Sequence, residues 1–447
     1  MNTSLPSRVQ PEPGCEKTAR TSTLLLAAIV LCFSSTVTPA ATRIWIGAGG
    51  DTLWSNAGNW SNGVPVAGDS IVLPRHPLGF AQNTVNDLTN LTIHSIRCEA
   101  SGGTIAGGAV RLAGDITVGG PFVGANLTIS APLDIVGPAS QFLSTNSASF
   151  TLSGVVNSPA GAVVTIDGGI SFRASPGSDY RAETRLRSGF MPLLFTRLNG
   201  PFVVGGGGPT DFATVPLQSG NLFGNFPPLT VLTNGAVFNI STFNSVGSLM
   251  VDGGVLRVGN RSPNGELTVN GNALLTGGAS LFVSAINDFG PGELSITGTV
   301  TIAGCSLAFN PGSGALTKPG VIVRNDDSDP VSGTFTGLPE GSVLTNGLVR
   351  YLLSYVGGDG NDISLSPIIE PARFIAATLM NGAPQFTVQG QPGFSYIIEA
   401  TTNLLSPPAL IPWQPIRTNG TLGDGQFQFT DPDNALFPHR FYRALKR

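Results

Sequence analysis

The chain has 447 residues, 59 of them glycine and 34 proline; only 11% are charged and 41% are hydrophobic. That composition excludes a charged helical bundle and points to turns joined by apolar β-formers. A formal net charge of −4 is small for this length and supplies no basic patch for nucleic acid or anionic lipid.

Residues 1–40 read as an export signal: a polar start with Lys17 and Arg20, the apolar run "TLLLAAIVLCF", then "SSTVTPA" leading to cleavage after Ala40. The apolar run falls short of the roughly 20 residues a membrane span needs, so the mature chain is expected to carry no transmembrane helix. Lipid attachment at Cys32 is the other reading of this segment, with Leu31 in place of the small residue it usually wants. Export places the protein outside the cell or on its surface.

Three of the four tryptophans, Trp45, Trp54 and Trp60, crowd into the next stretch. Two readings fit residues 41–89. Bulky aromatics can cover the open end of a stacked-strand fold, where unpaired edges would otherwise face water. Exposed on a surface, the same rings would offer a stacking platform for carbohydrate.

Beyond residue 90 short alternating runs end in Gly, Asn or Ser, and no sustained 3.6-residue period occurs. "GELTVNGNALLTGGASLFV" from Gly265 aligns with "GELSITGTVTIAGCSLAF" from Gly292, a period of 27 followed by one dropped residue. Looser relatives, such as "LAGDITVGG" and "VGSLMVDGGVLRVG", lie upstream. A fixed period of this size is that of a solenoid coil, in which each strand stacks on the equivalent strand of the coil below. The expected fold class is therefore all-β, a parallel β-helix over 90–366. Cys98 and Cys305, the two cysteines left after cleavage, lie many coils apart in such a fold and are expected as free, packed thiols.

At Tyr351–Ser366, "YLLSYVGGDGNDISLS" fits one copy of the calcium nonapeptide G-G-x-G-x-D through Gly357, Gly358, Gly360 and Asp362. Such sites work as paired turns, and the expected large apolar position is Ser364. The match is thus either a Gly-rich turn into the last strand or a calcium site at Asp359, Asn361 and Asp362. "RNDDSDP" at 324–330 is a second acidic knot that also reads as a solvated loop. No other cofactor is indicated. A Pro-containing connection at 367–373 leads to a second alternating segment, 374–447.

"RIWIGAGGDTLWSNAGNWSNGVPVAGDSIVLP" resembles the W...W..NW..G..P..GD opening of secreted bacterial proteins with autotransporter-associated β-strand repeats. The 27-residue repeat and "VLTNGAVFNISTFNSVGSLMVDGGVLRVG" resemble their passenger coils, and "SGTFTGLPEGSVL...YLLSYVGGDGNDISLS" resembles the closing segment. The resemblance implies a right-handed parallel β-helix with adhesive or structural roles. A self-secreting member carries a membrane barrel of many strands, and the roughly 80 residues after the closing segment do not supply one. Residues 374–447 resemble the small antiparallel β-sandwich that ends many secreted bacterial proteins. The match runs through Tyr396, Glu399, Asn403, Leu404, Trp413 and Asp431 to "RFYR" at Arg440–Arg443. It implies a retention, sorting or accessory module.

Parallel β-helices also carry polysaccharide lyases and hydrolases, which need converging carboxylates or a base beside bound calcium. No such motif is present, and His76, His94 and His439 stand apart from one another. For a dispersed active site the candidates are Asp179, Arg181, Glu183, Arg185 and Arg187 in "SDYRAETRLR". The sequence thus supports a secreted or surface structural, adhesion-type protein without an evident catalytic site. A carbohydrate-active enzyme on the same scaffold is the alternative. The expected partners are polysaccharides or other surface polymers, and self-association stays open.

Overall fold

The computed structural model describes residues 40–121, 123–173, 175–192, 198–217, 227–239, 244–259, 265–285, 290–311, 316, 318–326, 328–405, 407–422 and 424–446. Residues 1–39, which carry most of the expected export signal with Cys15 and Cys32, lie outside these. The described chain is β-structure throughout, with three single-turn 3₁₀ segments and no α-helix.

Most of it is a parallel β-solenoid. Its first face climbs from Thr42–Ile44 to Ser332–Thr334 through twelve successive parallel pairings. A second face starts at Gln82–Asn86 and ends at Ser306–Asn310. The third runs from Thr92–Ile93 to Gly320–Asn325. The strand Glu183–Phe190 serves two faces, pairing through Thr184–Leu186 on the first and Gly189–Phe190 on the second.

Alternation within each short strand sends every second side chain inward. On the first face these inward positions join into one ladder: Ile71, Ile96, Ile116, Phe142, Ile166, Leu186, Val204, Val231, Val251, Leu275 and Ile302. None is more than 3% exposed. The ladder stops where Gly333, at φ +86°, lies opposite Ile302, whose carbonyl oxygen leaves 2.0 Å for a side chain there.

The 27-residue repeat is one coil: Glu266 pairs with Glu293 and Ala273 with Val300. The dropped residue falls at the next corner, since Ser280 pairs with Ser306. Ala279 and Cys305, which precede that pair, are both fully buried. Cys98 and Cys305 are free and buried, as expected. Burial pushes both thiols up to about 11.

Parallel stacking already begins at Thr42–Ile44 on Ser70–Val72, so the region 41–89 contributes to the coils. At the other end Gly320–Asn325 turns antiparallel to Asp362–Ile368, which continues through Val349–Gly357 to Val343–Asn346. Ile368 still pairs with Arg350, and the next strand starts at Arg373. The connection expected over 367–373 is therefore confined to 369–372.

The C-terminal part forms two three-stranded antiparallel sheets. One holds Arg373–Met380, Ala383–Gln389 and Gln426–Thr430; the other holds Gln414–Gly420, Ser395–Thr401 and Phe441–Lys446. They share a core of their own: Val388, Phe394, Tyr396, Ile398, Phe427 and Phe429.

Candidate functional site

Trp45, Trp54 and Trp60 belong to the first described coil, whose strand Thr42–Ile44 has, among the described residues, a parallel strand partner on one side only. They are 3%, 0% and 3% exposed. The Trp60 ring meets Trp45 and Trp54 edge-on, at 5.0 and 5.8 Å, and its Nε1 donates to the Trp54 carbonyl at 2.8 Å. No ring face is left at the surface for a sugar, which corrects the stacking-platform reading. The neighbouring polar residues hold this corner together. Asn59, fully buried, donates to Asp51 and Leu53 and accepts from the Gly49 amide. Asp69, 1% exposed, accepts from Arg43 Nε, the Ala41 amide and the Val66 amide. Burial raises its carboxyl, but those three donors outweigh it and hold the group below the ordinary carboxylate range.

The charged run "SDYRAETRLR" does not converge. Tyr180 and Ala182 point into the core, and the charged residues around them fall on different faces. Asp179 lines a groove of about 600 Å³ on the third face, with Asn90, Arg111, Asp134, Asn157 and Ser158. Glu183, Arg185 and Arg187 line a second groove, of about 550 Å³, on the first face, with Thr165 and Thr230. Each charge is matched nearby: Asp179 with Arg181 at 2.8 Å, Glu183 with Arg185 at 2.5 Å, and Asp167 with Arg187 at 3.8 Å. Solvent-facing pairs of this kind contribute little to stability. They leave the run without a free pair of opposed carboxylates.

The third-face groove is the more regular of the two. Arg111 pairs in register with Asp134, and Asp134 with Asn157. Asn157 donates from Nδ2 to Asp134 at 2.8 Å and accepts the Asp179 amide at 3.0 Å. The result is a continuous polar ladder along the solenoid axis. Nothing in the sequence marked Arg111, Asp134 or Asn157, because they lie about one coil apart and meet only once the register is known.

The Gly-rich turn and "RNDDSDP" come together at the last coil. Asp362, 1% exposed, accepts the Asn325 amide at 2.9 Å, and Asn361 donates to the carbonyls of Asp326 and Asp329. Asp359 is exposed at the tip of the turn. Burial is the main cause that raises the Asp362 carboxyl, with the Asp359 charge adding to it. Among the described residues no three His, Cys, Asp or Glu side chains gather as a metal cluster.

In the C-terminal sheets the resembling motif is structural. Asp431 accepts from Arg440 and from the Tyr442 hydroxyl, both at 2.7 Å, and Arg443 pairs with Glu399 at 2.6 Å. Trp413 is half-buried and lies under the Arg443 guanidinium at 4.4 Å. A cation over an indole face accounts for that position. His439 contacts the Thr402 carbonyl, and His76 lies 5.0 Å from the Phe80 ring.

No protein-family model matches the chain, and no curated protein does. Among solved structures, the chain is similar to the Haemophilus influenzae Hap adhesin at 14% identity and a TM-score of 0.27. The match covers 69% of this chain and 34% of that one. So loose a likeness carries no functional argument. The assignment of the fold rests on the strand pairing itself. No helix among the described residues is long and apolar enough to cross a membrane.

Proposed function

We propose that this chain is a secreted or cell-surface structural protein of adhesion type, whose solenoid flank holds a polysaccharide or another surface polymer. The observation that supports this reading is the third-face groove. Its polar side chains, Arg111, Asp134, Asn157 and Asp179, come from successive coils. Stacked coils repeat at about 4.8 Å, close to the length of one hexose unit. A polymer lying along the axis would therefore meet one polar side chain at each sugar. Small net charge and an open, shallow surface suit a neutral, hydroxyl-rich partner.

The same groove holds two carboxylates, Asp134 and Asp179, the number a glycosidase uses. That keeps a carbohydrate-active enzyme as the second reading, although Asp134 is occupied by Asn157 and Asp179 by Arg181. Incubating the purified chain with a panel of bacterial and plant polysaccharides separates the two. Retention on a polymer without soluble oligosaccharide in the mass spectrum is the expected outcome. Oligosaccharide release would replace the adhesion reading with the enzymatic one, and neither signal would remove both.

A further inference from the structure

At the junction between the last coil and its closing hairpin, three buried side-chain oxygens accept no hydrogen bond among the described residues: Asn325 Oδ1, Asp329 Oδ2 and Asp362 Oδ2. Hydrogen bonds bring their residues to one place. Asn325 gives its amide to Asp362 Oδ1 and its Nδ2 to the Asp329 carbonyl, and the Asn361 carboxamide donates to that same carbonyl. Asn325 and Asp362 are each 1% exposed. An unpaired buried oxygen is costly and a buried carboxylate more so, so three at one junction call for a shared partner. The turn is shaped around them. Gly358, at φ +55°, passes so close to Asp362 Oδ2 that a Cβ there would lie 1.8 Å from it.

We propose that Asn325, Asp329 and Asp362 hold one calcium ion that pins the closing hairpin to the last solenoid coil. The donors are all oxygens, two carboxylates and a carboxamide, the hard ligand set of Ca²⁺ and not of the nitrogen- and sulfur-seeking metals. Arg324 is the cation nearest Asp362 Oδ2, at 3.9 Å. Its guanidinium is turned to Glu293, which it meets at 2.5 and 3.0 Å, so it leaves that oxygen without a hydrogen bond. The site differs from the nonapeptide reading of the sequence. Asp359 points to solvent, and two of the three ligands come from the other acidic knot, some thirty residues earlier in the chain.

Calcium chloride titrated into the EDTA-treated protein, followed by calorimetry and by thermal unfolding, tests the assignment. The expected result is one ion per chain with a Kd in the range of about 10⁻⁴–10⁻³ M, as in other extracellular modules. A rise in Tm that magnesium at equal ionic strength does not reproduce is expected with it. Asp329→Asn should weaken binding at least tenfold while the calcium-free protein stays folded, and Asp362→Asn should do the same. Two results would overturn the proposal: no calcium-specific heat or Tm shift in the wild type, or an Asp329→Asn protein that binds calcium as the wild type does. A wild type indifferent to calcium whose Tm rises on Asp362→Asn would assign that carboxylate a proton instead. Polymer retention is read separately, so failure here leaves the adhesion reading standing.

Discussion

Asp69 shows how one carboxylate can fasten the start of the solenoid. It draws donors from Arg43, Ala41 and Val66, and its folded-state pKa is lowered. The stabilisation is therefore fully present above the unfolded value of about 3.9 and is lost as pH falls through the folded value. Asp69→Asn should cost about 1–3 kcal/mol at pH 7, because it removes the charge that faces Arg43 and leaves that guanidinium, among the described residues, only the Asn62 and Gly63 carbonyls. The gap between wild type and variant should narrow as pH falls below the unfolded value, and urea unfolding at pH 7 and in acid checks this. Cys98 and Cys305 give a second expectation. Buried thiols raised to about 11 carry almost no thiolate at pH 8. Neither should react with Ellman's reagent until the protein is denatured, when both should. Residue roles were the least legible part of the sequence. The three tryptophans stood out by their spacing, yet their burial depends on a hydrogen bond from Trp60 to Trp54 and on packing that spacing cannot show. Asn59 and Asp69 gave no signal beyond belonging to a motif, since their partners are mostly backbone groups placed by the fold.

At the scale of the strand, alternation carries the argument. Leu274 and Leu275 are neighbours in one strand, but Leu275 is 1% exposed within the core ladder and Leu274 is 36% exposed. Leu275→Ala should destabilise by about 2–5 kcal/mol, and Leu274→Ala by about 0.5 kcal/mol or less. Equal effects in equilibrium unfolding would refute the register. The strands were readable because short alternating runs closed by Gly or Asn have one common structural outcome. Most of the coils were not readable as repeats. Along the core ladder the step from Ile71 to Ile96 is 25 residues, from Leu186 to Val204 only 18, and from Leu275 to Ile302 27. Loops at the corners vary freely while the stacked strands do not, so sequence self-similarity survives only where two neighbouring coils share corner lengths. The same freedom hid the polar ladder of the third face and the meeting of the two acidic knots.

The described residues form two hydrophobic cores: the long one of the solenoid and a small one between the C-terminal sheets. The four-residue connection at 369–372 is tied across by Gln391, which accepts the Glu370 amide and donates to the Ile368 carbonyl. Calorimetry should resolve two unfolding transitions, the smaller of which disappears on deletion of residues 374–447. A single transition unchanged by that deletion would contradict separate cores. The solenoid supplies length, repetition and an open flank, and the adhesion reading depends on the flank alone. The most direct measurement compares adsorption of the wild type and of an Arg111→Ala, Asn157→Ala double variant to the polymer that retains the wild type. Both side chains are surface-facing, so folding should be preserved, with Tm as the control. The account predicts at least a tenfold loss of affinity in the double variant, and equal adsorption of the two proteins would contradict it.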